Sequence, residues 1–261
     1  MKVSIVIHVF NEAATVGTLL RRVWNRDLPG IERELIVVES NSTDGSRKIV
    51  QDFLEEKKND ASASVRLILQ DQGRGKGNAM REGLAAAQGD IILIQDADLE
   101  YDVNDYPSLI QPIVDGRSTF VLGSRHLAAA NWKIRKFEKD PLKAVFLNLG
   151  GIFFHGLFNM VYSQELTDPT TMYKVFRRDA IEGIKFVSNR FDFDFELVAK
   201  LIRSGNPPLE VPVTYTSRDF EEGKKVRVFL DPLTWLRAII RFRFSPLYEN
   251  STEKKAVRRS V

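Results

Sequence analysis

Gly89-Asp90-Ile91-Ile92-Leu93-Ile94-Gln95-Asp96-Ala97-Asp98-Leu99-Glu100 runs four branched aliphatics into two carboxylates spaced one residue apart, with a third two residues on. A short unbroken apolar run suits a strand covered on both faces, as in a parallel sheet. The carboxylates then leave the strand at its C-terminal edge, where open α/β sheets bind ligands. In an extended chain residues i and i+2 point to the same side. Asp96 and Asp98 therefore converge, and Glu100 adds a third oxygen donor. Such donors suit a hard cation, Mg²⁺ or Mn²⁺. Taken alone, Asp-x-Asp fits a turn or helix cap equally well, so the reading depends on the rest of the chain.

Outward from this run, strand and helix patterns alternate. Residues 3–9 read as a strand, 12–26 as a helix and 34–38 as a strand. A helix opens after Thr43-Asp44-Gly45, a strand covers 65–70 and a helix 77–87. This is βαβ repetition, and right-handed crossovers make the sheet mostly parallel with flanking helices. The 261 residues, 43% of them hydrophobic, suit one large α/β domain, and no repeat or low-complexity linker divides it. The absence of cysteine excludes disulfides, thiolate metal sites and a cysteine nucleophile.

The opening Met1-Lys2-Val3-Ser4 turns polar too soon for a signal peptide, and no run of about 20 apolar residues offers a membrane span. A cytoplasmic or membrane-peripheral location is expected. The net charge is +3, and from Ser217 onward eleven Lys and Arg stand against six Asp and Glu. Basicity is concentrated at the C-terminus.

Three further turns belong to the same sheet edge. Phe10-Asn11-Glu12 and Glu39-Ser40-Asn41-Ser42-Thr43-Asp44-Gly45 place short polar groups there, suited to a base and ribose or to simple helix capping. Asp71-Gln72-Gly73-Arg74-Gly75-Lys76-Gly77-Asn78 combines three glycines with two cations at a helix start, which favours anions. It has neither the Walker spacing nor a GxGxxG fingerprint.

In this order the turns and the carboxylate strand resemble family 2 glycosyltransferases of the GT-A fold, closest to the dolichyl-phosphate mannose synthase-like, polyprenyl-phosphate branch. Gly123-Ser124-Arg125, Leu166-Thr167-Asp168-Pro169, Arg190-Phe191-Asp192-Phe193-Asp194-Phe195-Glu196 and Glu210-Val211-Pro212 extend the likeness over about residues 3 to 228. It implies a single Rossmann-like GT-A domain over 1–228, an amphipathic helix over 229–247 and a basic tail over 248–261. It also implies inverting sugar transfer from a UDP- or GDP-linked donor, with Mg²⁺ or Mn²⁺ on Asp96, Asp98 and Glu100. Donor contacts fall to Phe10, Asn11, Glu12, Glu39, Ser40, Gly75, Lys76, Asp96, Ala97 and Asp98. Arg125, Arg218, Lys224 and Lys225 become candidates for phosphate or acceptor binding. The chain departs from the family with His8 in place of Pro, Glu39-Ser40-Asn41 in place of Asp-Asp-Gly, and Glu100 where the mannose synthases often carry Gln.

The acceptor decides whether a base is needed. A saccharide hydroxyl must lose a proton, whereas a polyprenyl phosphate is already an anion. On a helix opening near Asp192, that residue and Glu196 are four apart and share a face, with Phe193, Leu197 and Leu201 forming an apolar stripe and Asp194 on another azimuth. Asp192 and Glu196, with Asp98, are therefore the catalytic candidates; the same acids also suit a first turn complementing the helix dipole.

Residues 141–162 are apolar apart from Lys143, Asn148, His155 and Asn159, fitting either a buried helix or one resting on a membrane; His155 reads as a core histidine. Residues 228–247 set Trp235, Ile239, Ile240, Phe242 and Phe244 beside Arg237, Arg241 and Arg243, an interfacial pattern followed by the basic Lys254, Lys255, Arg258 and Arg259. The expected partners are a nucleoside diphosphate sugar, a polyprenyl phosphate or glycan acceptor and a membrane surface, with no nucleic acid. The rival readings are a saccharide acceptor and a silent nucleotide-sugar binding module.

Overall fold

The computed structural model describes residues 1–127, 141–218 and 231–248. The aliphatic runs become β1 (Lys2–Val9), β2 (Glu32–Glu39), β3 (Ser64–Leu69) and β4 (Ile91–Asp96), all paired in parallel. Between them lie α1 (Val16–Asn25), α2 (Ser46–Lys57) and α3 (Lys76–Ala86). The second half adds α4 (Tyr106–Val114), β5 (Phe120–Ser124), α5 (Pro141–Tyr162), β6 (Lys174–Arg177), α6 (Phe193–Arg203), β7 (Leu209–Pro212) and α7 (Asp231–Phe244). The seven strands make one sheet in the order β3-β2-β1-β4-β6-β5-β7. Strand β6 runs antiparallel to β4 and β5, whereas β5 and β7 are parallel. The sheet is thus mostly parallel, with one reversed strand.

Alternation along the strands sorts their side chains into two cores. Val3, Ile5, Ile7, Leu35, Val37 and Leu93 pack under α1, α2 and α4. Val6, Ile36, Val38, Ile92 and Ile94 pack under α3, α5, α6 and α7. The unbroken aliphatic run of β4 is needed because both of its faces are covered. Helix α3 comes so close that a Cβ on Gly83 would collide with the Val6 side chain. At the N-terminal edge, the buried Glu34 accepts from the N–H groups of Gln88 (2.6 Å) and Gly89 (3.1 Å) and from the Ser4 hydroxyl, and pairs with Lys2 at 2.8 Å.

Two sequence expectations change here. Helix α1 begins at Val16 rather than residue 12: the Thr15 N–H closes a tight turn on the Glu12 carbonyl at 3.0 Å, and Thr15 itself leaves helical geometry with a φ of −121°. Helix α7 does not present one apolar face. Trp235, Ile239 and Phe242 turn into the core, while Leu233, Leu236, Ile240 and Phe244 are exposed. Among the described residues no helix is long and apolar enough to cross a membrane.

The chain leaves β1 toward β2 and β3, then returns to place β4 on the other side of β1. The C-terminal ends of β1 and β4 therefore flank a topological switch point, the usual ligand crevice of such sheets. His8 is in register with Asp96 across it.

Candidate active site

Asp96 ends β4, and the backbone beyond it folds sharply. Leu99 holds a left-handed φ of 62° between the two acids, and the Glu100 N–H donates to Asp98 Oδ1 at 3.1 Å. A non-glycine residue held there is strained, a cost that functional loops commonly carry. Asn11 and Asn41 adopt the same conformation on the neighbouring turns at φ 52° and 58°, where asparagine tolerates it better.

Arg218, from the segment after β7, reaches into the carboxylates. Its guanidinium lies 2.9 Å from Glu12 and 3.0 Å from Asp98, and the Arg218 backbone N–H donates to Glu100 Oε1 at 2.9 Å. The Tyr215 hydroxyl donates to the other Glu100 oxygen at 2.9 Å. From the opposite side Lys76 meets Asp96 at 2.9 Å and Asp194 at 3.8 Å, while Lys174 meets Asp194 at 3.1 Å. Lys76 is aimed inward because its loop packs tightly on residues 188–190. A Cβ on Gly75 would strike the Asn189 carbonyl, and one on Gly77 would stand 2.6 Å from the Ser188 carbonyl.

Among the described residues, five carboxylates (Glu12, Asp96, Asp98, Glu100, Asp194) thus meet three basic side chains (Lys76, Lys174, Arg218). Burial first, then Asp96 and Glu100, push Asp98 up to about 7, with Arg218 offsetting only part of the rise. The carboxylates of Asp96, Asp98 and Glu100, all oxygen donors close together at one strand end, fit a hard divalent cation. Burial works against the Lys76 ammonium, but Asp194 and Asp96 overcome it and hold the group well above its usual range.

The structure sorts the other candidates. Phe10 is partly exposed at the mouth of the β1 turn. Asn11 Oδ1 accepts from the Thr43 N–H at 2.8 Å and ties the first two turns together. The Ala97 carbonyl accepts from Thr15 at 2.7 Å. Glu39 braces the β2 turn. Its side chain is 0% exposed, accepts from the Asn41 and Ser42 N–H groups and pairs with Arg47. Ser40 is likewise buried and donates to Gln70 at 2.7 Å.

Arg125 is 7% exposed. Its buried fork closes on Asp168 at 2.6 and 2.7 Å and lies 5.2 Å beneath the Tyr215 ring, so it supports the site wall. Lys224 and Lys225 lie outside the described residues.

The three acids of α6 and its N-terminus face different surroundings. Glu196 is fully buried, accepts from the Val187 and Ser188 N–H groups and pairs with Lys200 at 2.7 Å. Asp192 accepts from the Arg190 N–H at 3.1 Å. Asp194 is the acid that reaches the site. Burial opposes its charge, but Lys174 and Lys76 hold its carboxyl below the ordinary range. Lys174, Tyr215 and Asp194 were not singled out from the sequence. The one available signal was Lys174 between Tyr173 and Val175 in a strand, a charge too deep to lack a partner.

Residues 4–185 match the sequence profile of Glycosyl transferase family 2. The dolichol-phosphate mannosyltransferase of Pyrococcus furiosus is 27% identical over 224 residues, 86% of this chain and 59% of that protein. The undecaprenyl-phosphate 4-deoxy-4-formamido-L-arabinose transferase of an Enterobacter species is 26% identical over 85% of this chain and 62% of its own length. This chain therefore spans about three-fifths of those two relatives. Among solved structures, glucosyl-3-phosphoglycerate synthase of Mycobacterium tuberculosis, in complex with Mn²⁺, uridine diphosphate and phosphoglyceric acid, superposes with a TM-score of 0.62 at 18% identity. That match covers 94% of this chain and 79% of the other, and it establishes the GT-A architecture.

Proposed function

The chain belongs to glycosyl transferase family 2, and on that premise we propose that it is a metal-dependent transferase moving a sugar from a nucleoside diphosphate donor to a polyprenyl phosphate. In this reading residues 1–228 are the transferase domain, 229–247 an interfacial segment and 248–261 a basic tail, working on the cytoplasmic face of a membrane. The relatives' names supply the acceptor class. The observation that carries the reading is the state of the acids on α6. Glu196 and Asp192 are engaged by backbone N–H groups, and Asp194 is held as an anion between two lysines. Asp194, the α6 acid that reaches the site, is kept charged by those lysines and is a poor proton acceptor, which supports an acceptor that arrives already deprotonated.

The β1 and β2 turns would receive the nucleotide, with Phe10 offering a ring face. Asp96, Asp98 and Glu100 would hold Mg²⁺ or Mn²⁺, which when bound offsets the charge developing on the departing diphosphate. Lys76 keeps the Asp96 carboxylate in place, and Asp194 in turn compensates Lys76. Arg218, once released from its carboxylates, has the planar fork that phosphate oxygens accept. An acceptor phosphate oxygen forms the new bond to the anomeric carbon as the bond to the diphosphate breaks, with inversion. No proton moves in that step.

The test is metal-dependent release of nucleoside diphosphate from a panel of UDP- and GDP-sugars, with and without polyprenyl phosphate. Release that requires the lipid and is lost in Asp98→Ala is the expected result. Turnover only with saccharide acceptors would replace the acceptor, and donor binding without turnover would leave a binding module.

A further inference from the structure

Strand β6 pairs antiparallel with β4, setting Ile91 opposite Arg177, Ile92 opposite Phe176 and Leu93 opposite Val175. Carried on to the end of β4, the same register brings Met172 level with Asp96. The side chains agree. The Lys76 ammonium lies 2.9 Å from Asp96 Oδ1 and donates to the Met172 thioether at 3.0 Å. Phe191 places its ring centre 5.9 Å from the same ammonium. Met172 is pinned at its backbone, where its N–H donates to the buried Tyr101 hydroxyl at 3.0 Å. Its side chain packs against both cores of the sheet and stays partly exposed. An apolar wall therefore begins one ammonium group away from Asp96.

The strand order β2-β1-β4-β6 decides what meets this wall. On the donor placement proposed above, the nucleoside lies over the β1 and β2 turns and the diphosphate at the end of β4. The donor then runs along the sheet edge, and its sugar is carried toward β6. Nearest the diphosphate in any such sugar are the anomeric carbon, the ring oxygen and the adjacent ring carbon. The ring oxygen bears no substituent. The group on that adjacent carbon is thus the first side group to reach Met172.

We propose that Met172 selects the donor sugar, admitting a hexose with a hydroxyl beside its anomeric carbon and excluding one with an acetamido group there. The inference rests on the nucleoside diphosphate sugar reading and names the substrate class of that same site. Selection of this kind combines a repulsive element with an attractive one. The repulsive element is the thioether, which is held between Lys76 and both cores, so an acetyl group enters only by displacing a packed side chain. The attractive element is Lys76. A hydroxyl oxygen is a better acceptor than a thioether sulfur for the ammonium proton now directed at Met172.

The test is titration calorimetry of the full chain with Mn²⁺ and matched donors: UDP- and GDP-linked glucose and mannose, each against its N-acetylated counterpart on the same nucleotide. No acceptor is needed, so the result is independent of which acceptor the enzyme uses. The plain hexose of the best-bound pair is expected to bind at least about tenfold more tightly. Met172→Ala is expected to bring that pair to within about threefold, while Met172→Leu, which conserves volume, keeps most of the gap. A residue that only supports the fold would weaken both members of the pair alike and leave their ratio unchanged. A parent that binds the N-acetylated donor as tightly overturns the proposal without any variant, so it stays refutable even where Met172→Ala does not fold. A folded Met172→Ala with the parent's ratio also overturns it, as does a Met172→Leu that loses the gap. Donors that bind without this preference refute only the selection by Met172, whereas no Mn²⁺-dependent binding by any donor refutes the donor reading with it.

Discussion

Arg218 stands where cationic charge is most needed, within 3.0 Å of both Glu12 and Asp98. The Arg218 guanidinium repels a divalent cation approaching the same Asp98 carboxylate, so the two compete. Arg218→Gln is expected to tighten Mn²⁺ binding without donor, by several-fold to about tenfold given the partial solvent screening of the pair, and to slow transfer. Titration calorimetry reads the first effect and nucleotide release the second. Unchanged Mn²⁺ affinity would mean that Arg218 does not hold the metal's place. Asp194 makes a second case. Asp194→Asn leaves Lys174 and Lys76 without their shared anion, and breaking such a buried pair costs about 3–5 kcal/mol. Urea denaturation should show that loss, while the residual activity keeps the parent's pH profile; a vanished basic limb would instead mark Asp194 as a proton acceptor. The carboxylates of β4 were legible because a strand end fixes where successive side chains point. Asp194 was not, because α6 is buried on most of its circumference. Sequence spacing then cannot tell which acid faces a ligand and which a lysine.

At the scale of elements, legibility followed burial on two faces. Strands β1, β2 and β4 declared themselves as aliphatic runs, and α3 fell within one residue of its expected bounds. The reversed strand β6 did not, because Lys174–Arg177 is only four residues long and its direction depends on β4 and β5. The two faces of α7 were merged for a related reason: apolar residues on opposite sides look alike until the packing partner is known. The α3 contact with the sheet supplies a prediction of its own. Gly83→Ala gains helix propensity worth up to about 1 kcal/mol, but its methyl must displace the β-branched Val6 in a closed core. Overpacking of that kind typically costs about 1–3 kcal/mol, so a net loss near 1–2 kcal/mol is expected. Chemical denaturation decides the sign, and a stabilised variant would show that α3 can move off β1.

Across the whole molecule, two buried carboxylates tie distant parts of the sheet together from opposite edges. Glu34 joins β1, β2 and the turn into β4 at the N-terminal edge. Asp168 anchors Arg125 beyond the C-terminal end of β5. Burial raises the Glu34 carboxyl, but Lys2, Ser4 and the Gln88 N–H outweigh it and hold the group below its ordinary 4.5. Burial likewise raises Asp168, and Arg125 outweighs it, leaving the carboxyl well below 3.8. Each group therefore binds a proton more readily unfolded than folded. Their stabilisation is fully present above about pH 5 and is lost as pH falls through the folded-state values. Glu34→Gln should cost about 1–2 kcal/mol near neutrality, and Asp168→Asn, which strands a buried guanidinium, about 3–5 kcal/mol. Both penalties should shrink on acidification, because the parent protonates the same groups there. Urea midpoints measured from pH 7 down to pH 3 test this directly. Parallel curves for parent and Glu34→Gln would mean that the network at the N-terminal edge does not couple proton binding to folding.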